Sequence, residues 1–168
     1  MTTTRPAEDM GGMIMAAAIA VQGIGGVRAL PVGEVLGYSD WHEVTQEAVN
    51  QFADATGDHQ WIHVDPERAA KGPFGGPIAH GYLTLSLIPC VLPEIIQLSG
   101  FGMGVNYGCE RVRFPSPVPV GGRLRAGAVL DEVKEVEGGV QLTITLTLTV
   151  ENAPKPACVA TILVRHYV

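Results

Sequence analysis

Positive charge is scarce in this chain, and so are cysteines and aromatic side chains. Eleven Lys and Arg stand against 17 Asp and Glu, a formal net charge of −6 over 168 residues. That balance excludes a general attraction to nucleic acid or to an anionic membrane surface. Cys90, Cys109 and Cys158 are widely separated and form no CxxC pair, so the sequence specifies neither a disulfide framework nor a cysteine-based zinc site. A reducing, cytoplasmic setting is the expectation. His59 and His63 stand at i and i+4 without an HExxH pattern or a third ligand beside them, and no metal is expected. The chain also lacks an apolar run of membrane-spanning length. Gly12 to Ile24 is nearly all apolar but too short to cross comfortably. Glu8 and Asp9 precede it where a signal peptide would carry positive charge.

What remains is enough for one domain with a substantial core, since 46% of the residues are hydrophobic. Residues 1–28 are expected to form an apolar N-terminal segment with an extra helix packed on a single domain at 29–168. A first strand is expected over 34–44. Thr45 then reads as an N-cap, Ala48, Val49, Phe52, Ala53 and Ala55 fall on one helical face, and Gly57 stands where a left-handed residue would close a helix over 46–56. Residues 58–77 carry three Pro and three Gly without periodicity, which predicts a long structured loop with a short helix at 66–71. Connections of that length are usually functional.

From Ile78 the pattern becomes apolar nearly all round, as in a buried helix, which Pro89 and Pro93 should kink or end. Strands are expected near 103–114, 123–136, 140–151 and 157–167. The clearest is the alternation of Leu142, Ile144, Leu146, Leu148 and Val150 with four threonines. Glu137-Gly138-Gly139 and Asn152 to Pro156 supply turns between antiparallel neighbours, and Pro115, Pro117 and Pro119 mark a rigid connection. The fold class is therefore α+β, an antiparallel sheet wrapped around a central helix.

The candidate site lies between Phe52 and Leu87, where Asp58, His63 and the Ala79-His80-Gly81 turn fall close together in sequence. A carboxylate and an imidazole are a general acid–base pair if the chain doubles back to let them meet. Gly81 would open a helix, where backbone N–H groups lack intrahelical partners and favour negative charge. His80 could brace that helix start or face a substrate. Asn106 and Tyr107 could line a pocket or merely pair across the sheet. Arg111, Arg113, Arg123 and Arg125 could attract phosphates or form a solvated strand face.

Three motifs carry a resemblance. They are Gly57-Asp58 followed by Ile62-His63, then Pro77-Ile78-Ala79-His80-Gly81, then Val112-Arg113-Phe114-Pro115-Ser116-Pro117-Val118-Pro119-Val120-Gly121. From about Leu30 onward the chain resembles the MaoC-like (R)-specific enoyl-CoA hydratases of the hot-dog fold, in particular their NodN-like branch. The resemblance implies reversible addition of water to a trans-2-enoyl-CoA thioester in fatty acid metabolism, giving the (R)-3-hydroxyacyl product. It implies Asp58, His63 and the Gly81 amide as catalytic groups; Gln60, Trp61, His80, Asn106 and Tyr107 are the candidate substrate contacts. It implies a homodimer, an acyl-CoA or acyl carrier protein substrate, and no cofactor beyond the coenzyme A of the substrate. Where the family's motif has Asn-Pro between acid and histidine, this chain has Gln60-Trp61. An acyl-CoA thioesterase and a non-catalytic acyl-thioester-binding module are the alternatives.

Overall fold

A computed structural model describes residues 17–168. Its main sheet is antiparallel in the order β2-β6-β7-β8-β5: β2 Val35–Tyr38, β6 Arg123–Val136, β7 Gly139–Val150, β8 Cys158–Tyr167 and β5 Met103–Arg113. A short strand, β3 (His42–Glu43), also pairs with β6. The Thr alternation works as expected in β7, whose Leu142, Ile144, Leu146 and Leu148 are buried on the helix side. The intervening Thr145 bonds Asp131 Oδ2 and Thr161 Oγ1 on the other face.

Helix α2 spans Gln46–Thr56, with the Thr45 side chain accepting from the Ala48 amide and Gly57 in the left-handed region at φ 78°. Both caps are where the sequence puts them. Two single-turn helices follow, α3 (Trp61–Val64) and α4 (Pro66–Ala70). The second matches expectation, with Pro66 at its start and Asp65 capping it.

The central helix is broken into α5 (Gly81–Ser86), α6 (Ile88–Val91) and a 3-10 turn at Leu92–Glu94. Pro89 and Pro93 lie in the second and third pieces, consistent with their inability to donate an amide hydrogen. This helix is not buried all round, for Tyr82 is 72% exposed and only one side packs on the sheet.

The N-terminal expectation is corrected. Of the helix placed at 12–24, residues 12–16 lie outside the described region, and Ile19–Gln22 form a strand, β1, followed by a short helix, α1, at Gly23–Arg28. β1 pairs in parallel with β4 (Ile96–Ser99), and Val21 and Val27 are buried in the core. The expected strand at 34–44 is likewise interrupted, giving β2 and β3 with a break at Ser39–Trp41.

Strand β5 ends the sheet. Among the described residues one of its edges is unpaired, and Met103, Val105 and Tyr107 leave large apolar surface exposed. Two irregularities in its pairing with β8, at Asn106/Gly108 and Cys109/Arg111, bend it. Among the described residues no helix is long and apolar enough to cross a membrane.

Candidate active site

A three-residue strap, Pro77–Ala79, organises the site. On one side the Ile78 amide donates to the Ile62 carbonyl, 3.0 Å. On the other, the Ala79 amide donates to the Val118 carbonyl, 2.8 Å, and the Val120 amide to the Pro77 carbonyl, 3.0 Å. The strap thus joins the one-turn helix carrying His63 to the proline-rich connection and delivers the chain into α5.

His63 is buried, and its Nδ1–H donates to the Ile78 carbonyl at 2.6 Å. A carbonyl can only accept, so the hydrogen sits on Nδ1 and Nε2 keeps a free lone pair. Burial lowers the proton affinity of His63 below the usual imidazole range. The Ile78 carbonyl opposes that shift, the neighbouring His80 adds to it, and Asp58 opposes it. A neutral imidazole with an available lone pair is the form a general base requires. The His63 carbonyl is itself held by the Gln46 side chain, 2.8 Å.

His80 completes the arrangement. Its ring stacks on His63 with centroids 3.8 Å apart and planes 25° apart, and Phe52 covers it at 5.0 Å. Its Nε2–H donates to the Asp58 backbone carbonyl at 2.9 Å, which fixes where the acid emerges after Gly57. Its Nδ1 is buried without a partner.

One donor atom from each of Asp58, His63 and His80 lies within 4.8 Å of the other two. The loop therefore does double back, bringing the exposed carboxylate to the buried imidazole.

Beside this group is a cleft of about 320 Å³, whose walls include His63, Phe74, Gly81, Thr84, Phe114 and Val118. Gly81 opens α5, so its amide has no intrahelical partner. The absence of a Cβ matters here. A Cβ would stand 3.0 to 3.2 Å from the Phe114 ring, so the glycine admits both a ring and a ligand close to the backbone.

The other candidate residues are dispersed. Gln60 is exposed and precedes α3, with its amide reaching Asp58 Oδ1 at 3.4 Å. Trp61 lies against α4, under the Arg68 guanidinium at 4.5 Å and over Gly72. Asn106 lines a hollow farther along the helix, and Tyr107 lies beneath the Arg165 guanidinium at 3.3 Å. Of the four arginines, Arg123 is paired with Glu151, and Arg125 sits over the Tyr38 and Trp41 rings. Phe74, Thr84 and Phe114 were not singled out by sequence. Phe114 belongs to the proline-rich motif, and its position directly before Pro115 was the available signal.

The chain matches the MaoC like domain over residues 28–152. It is 55% identical to 3-hydroxyacyl-thioester dehydratase Z of Mycobacterium tuberculosis over 139 residues, 82% of this chain and 92% of that protein. It is 48% identical to nodulation protein N of Rhizobium leguminosarum bv. viciae over 136 residues, 77% of this chain and 82% of that protein. Among solved structures, it resembles an (R)-hydratase from A. caviae involved in PHA biosynthesis, with TM-score 0.66, 27% identity and coverage of 82% and 97%. A monoamine oxidase regulatory protein from Archaeoglobus shares the fold at TM-score 0.73 and 24% identity, with coverage of 90% and 98%.

Proposed function

The chain belongs to the MaoC like domain family, and from that premise we propose that it is a hydro-lyase interconverting a trans-2-enoyl thioester and its (R)-3-hydroxyacyl thioester. The observation that carries this reading is the approach of Asp58 and His63 beside the Gly81 cleft. His63 Nε2 and the Asp58 carboxylate are both acceptors, so one water can lie between them with each of its O–H bonds engaged. Hydration then forms the C3–O bond from that water and breaks one of its O–H bonds, and the pair returns a proton to C2 on the same face. The negative charge that develops on the thioester oxygen falls to the Gly81 amide. Such preorganised donors are often the largest single contribution to rate.

The substrate carries its own coenzyme A, and the residues described above supply the acid–base chemistry without a cofactor. A homodimer fits the unpaired, apolar edge of β5, since pairing two such edges would satisfy their free backbone groups. The name of the Mycobacterium tuberculosis relative, a 3-hydroxyacyl-thioester dehydratase, supports the same chemistry read in reverse.

The test supplies purified protein with trans-2-enoyl-CoA substrates of short, medium and long chain. It follows loss of the conjugated absorbance, release of free thiol and the chirality of the product. Absorbance loss without thiol and with an (R) product is expected. Stoichiometric thiol release would make the protein a thioesterase instead, and binding without turnover would make it a carrier-binding module.

A further inference from the structure

Three hollows follow one another along the seam between the central helix and strand β5. The active-site cleft comes first, at Gly81, Thr84 and Phe114. A second, of about 360 Å³, lies between Leu85 and Pro89 on the helix and Asn106 and Cys109 on the strand. A third, of about 330 Å³, lies between Pro89 and Pro93 on one side and Gly104 and Asn106 on the other, closed by β4. The second and third share Pro89 and Asn106. Helix numbers rise as strand numbers fall, so the hollows lead in one direction away from His63. From Gly81 to Leu92 the nearly continuous helix advances about 16 Å.

The walls of this furrow are mostly apolar, but its far hollow also holds polar side chains. His166 stands there with Gln97 and Asn106. Gly104 pairs with His166 across β5 and β8, and a Cβ at Gly104 would lie 2.9 Å from the imidazole Cε1, so the bare backbone makes room for the ring. Phe101 packs on it at 5.2 Å. His42, His59, His63 and His80 each have a polar ring partner, whereas among the described residues His166 has none, which leaves both its nitrogens available. Burial lowers its proton affinity, so the ring is neutral near pH 7 and offers one donor and one acceptor. A neutral imidazole matches an uncharged polar group better than a carboxylate.

Building on the hydro-lyase reading above, we propose that the furrow holds the acyl tail and that His166, with Gln97 and Asn106 beside it, selects a tail bearing an uncharged hydroxyl or carbonyl group remote from the thioester. A plain hydrocarbon tail would desolvate the imidazole without pairing it.

The test compares a medium-chain trans-2-enoyl-CoA with the same chain bearing a hydroxyl near its methyl end, in the natural protein and in His166→Phe. Trans-2-butenoyl-CoA, too short to reach His166, serves as the internal reference. The natural protein is expected to favour the hydroxylated chain about fivefold in kcat/KM, the usual worth of one neutral hydrogen bond. His166→Phe should abolish that preference while leaving butenoyl turnover unchanged. Equal rates for the two tails in the natural protein would overturn the inference, and so would a preference for an ω-carboxylate or a preference that survives His166→Phe. If His166→Phe folds poorly, His166→Leu takes its place, and the natural protein's own preference still decides. Failure of the natural protein to hydrate any enoyl thioester, butenoyl included, would instead remove the hydro-lyase reading and this inference with it.

Discussion

The two ends of the helix–β5 seam each present an imidazole, and they hold it very differently. His63 is fixed by a 2.6 Å bond from Nδ1, by a ring stacked at 3.8 Å and by a side chain on its own carbonyl. His166 has a tilted phenyl neighbour and a glycine-made gap, and among the described residues no ring bond holds it. A group that must present one lone pair in one direction is overdetermined by its surroundings. A group that only has to recognise a partner can be left to reorient, at the cost of a weaker effect when it is lost.

That contrast can be broken most severely at the first end. Asp58→Asn preserves shape but replaces the carboxylate with a neutral amide that cannot take up a proton, and it is expected to lower kcat by roughly 10²- to 10⁴-fold with little change in KM. An unchanged rate in the enoyl-thioester absorbance assay would take Asp58 out of the chemistry.

A smaller loss, on the order of tenfold to 10²-fold, is expected from Gly81→Ala, because the new methyl must displace the Phe114 ring and crowd the amide proposed to meet the thioester oxygen. The double change Gly81→Ala with Phe114→Ala sharpens the point. Recovery in the double variant would assign the loss to the ring, and persistence would assign it to the thioester's own approach to the backbone.

The mildest test is pH. His63 takes up a proton only below the usual imidazole range, so kcat/KM should hold steady down through pH 6.5 and fall at lower values. A limb centred above 6.5 would contradict the neutral base. Stability should follow the same sign. Both His63 and His166 have lowered folded-state values, so below pH 6.5 each binds more proton in the unfolded chain than in the fold, and their contribution to Tm should decline as pH falls through that region, against the opposite sign of the exposed, Asp54-paired His59.

Much of this arrangement could be read in the residues. Thr45 and Gly57 bracket α2 by local chemistry alone, and the Leu/Thr alternation of β7 needs nothing beyond its own period. The antiparallel α+β class and the hot-dog relationship follow from those signals and the three motifs. The losses are long-range. Ile19–Gln22 looked helical because its apolar residues do not alternate, and its strand state comes from a parallel partner some 77 residues on, Ile96–Ser99. The one-turn helix at Trp61–Val64 is too short to show a period. Phe114 could be assigned to the cleft only once its ring was seen against Gly81.

The strap at Pro77–Ala79 has a mechanical consequence. Because it is bonded to the segment bearing the base on one flank and to the proline-rich connection on the other, base, helix mouth and surface connection behave as one lever. A substitution at Pro117 or Pro119 is therefore expected to misplace the imidazole through these bonds, and an alteration that never meets the acyl group would be felt as slower turnover rather than weaker capture.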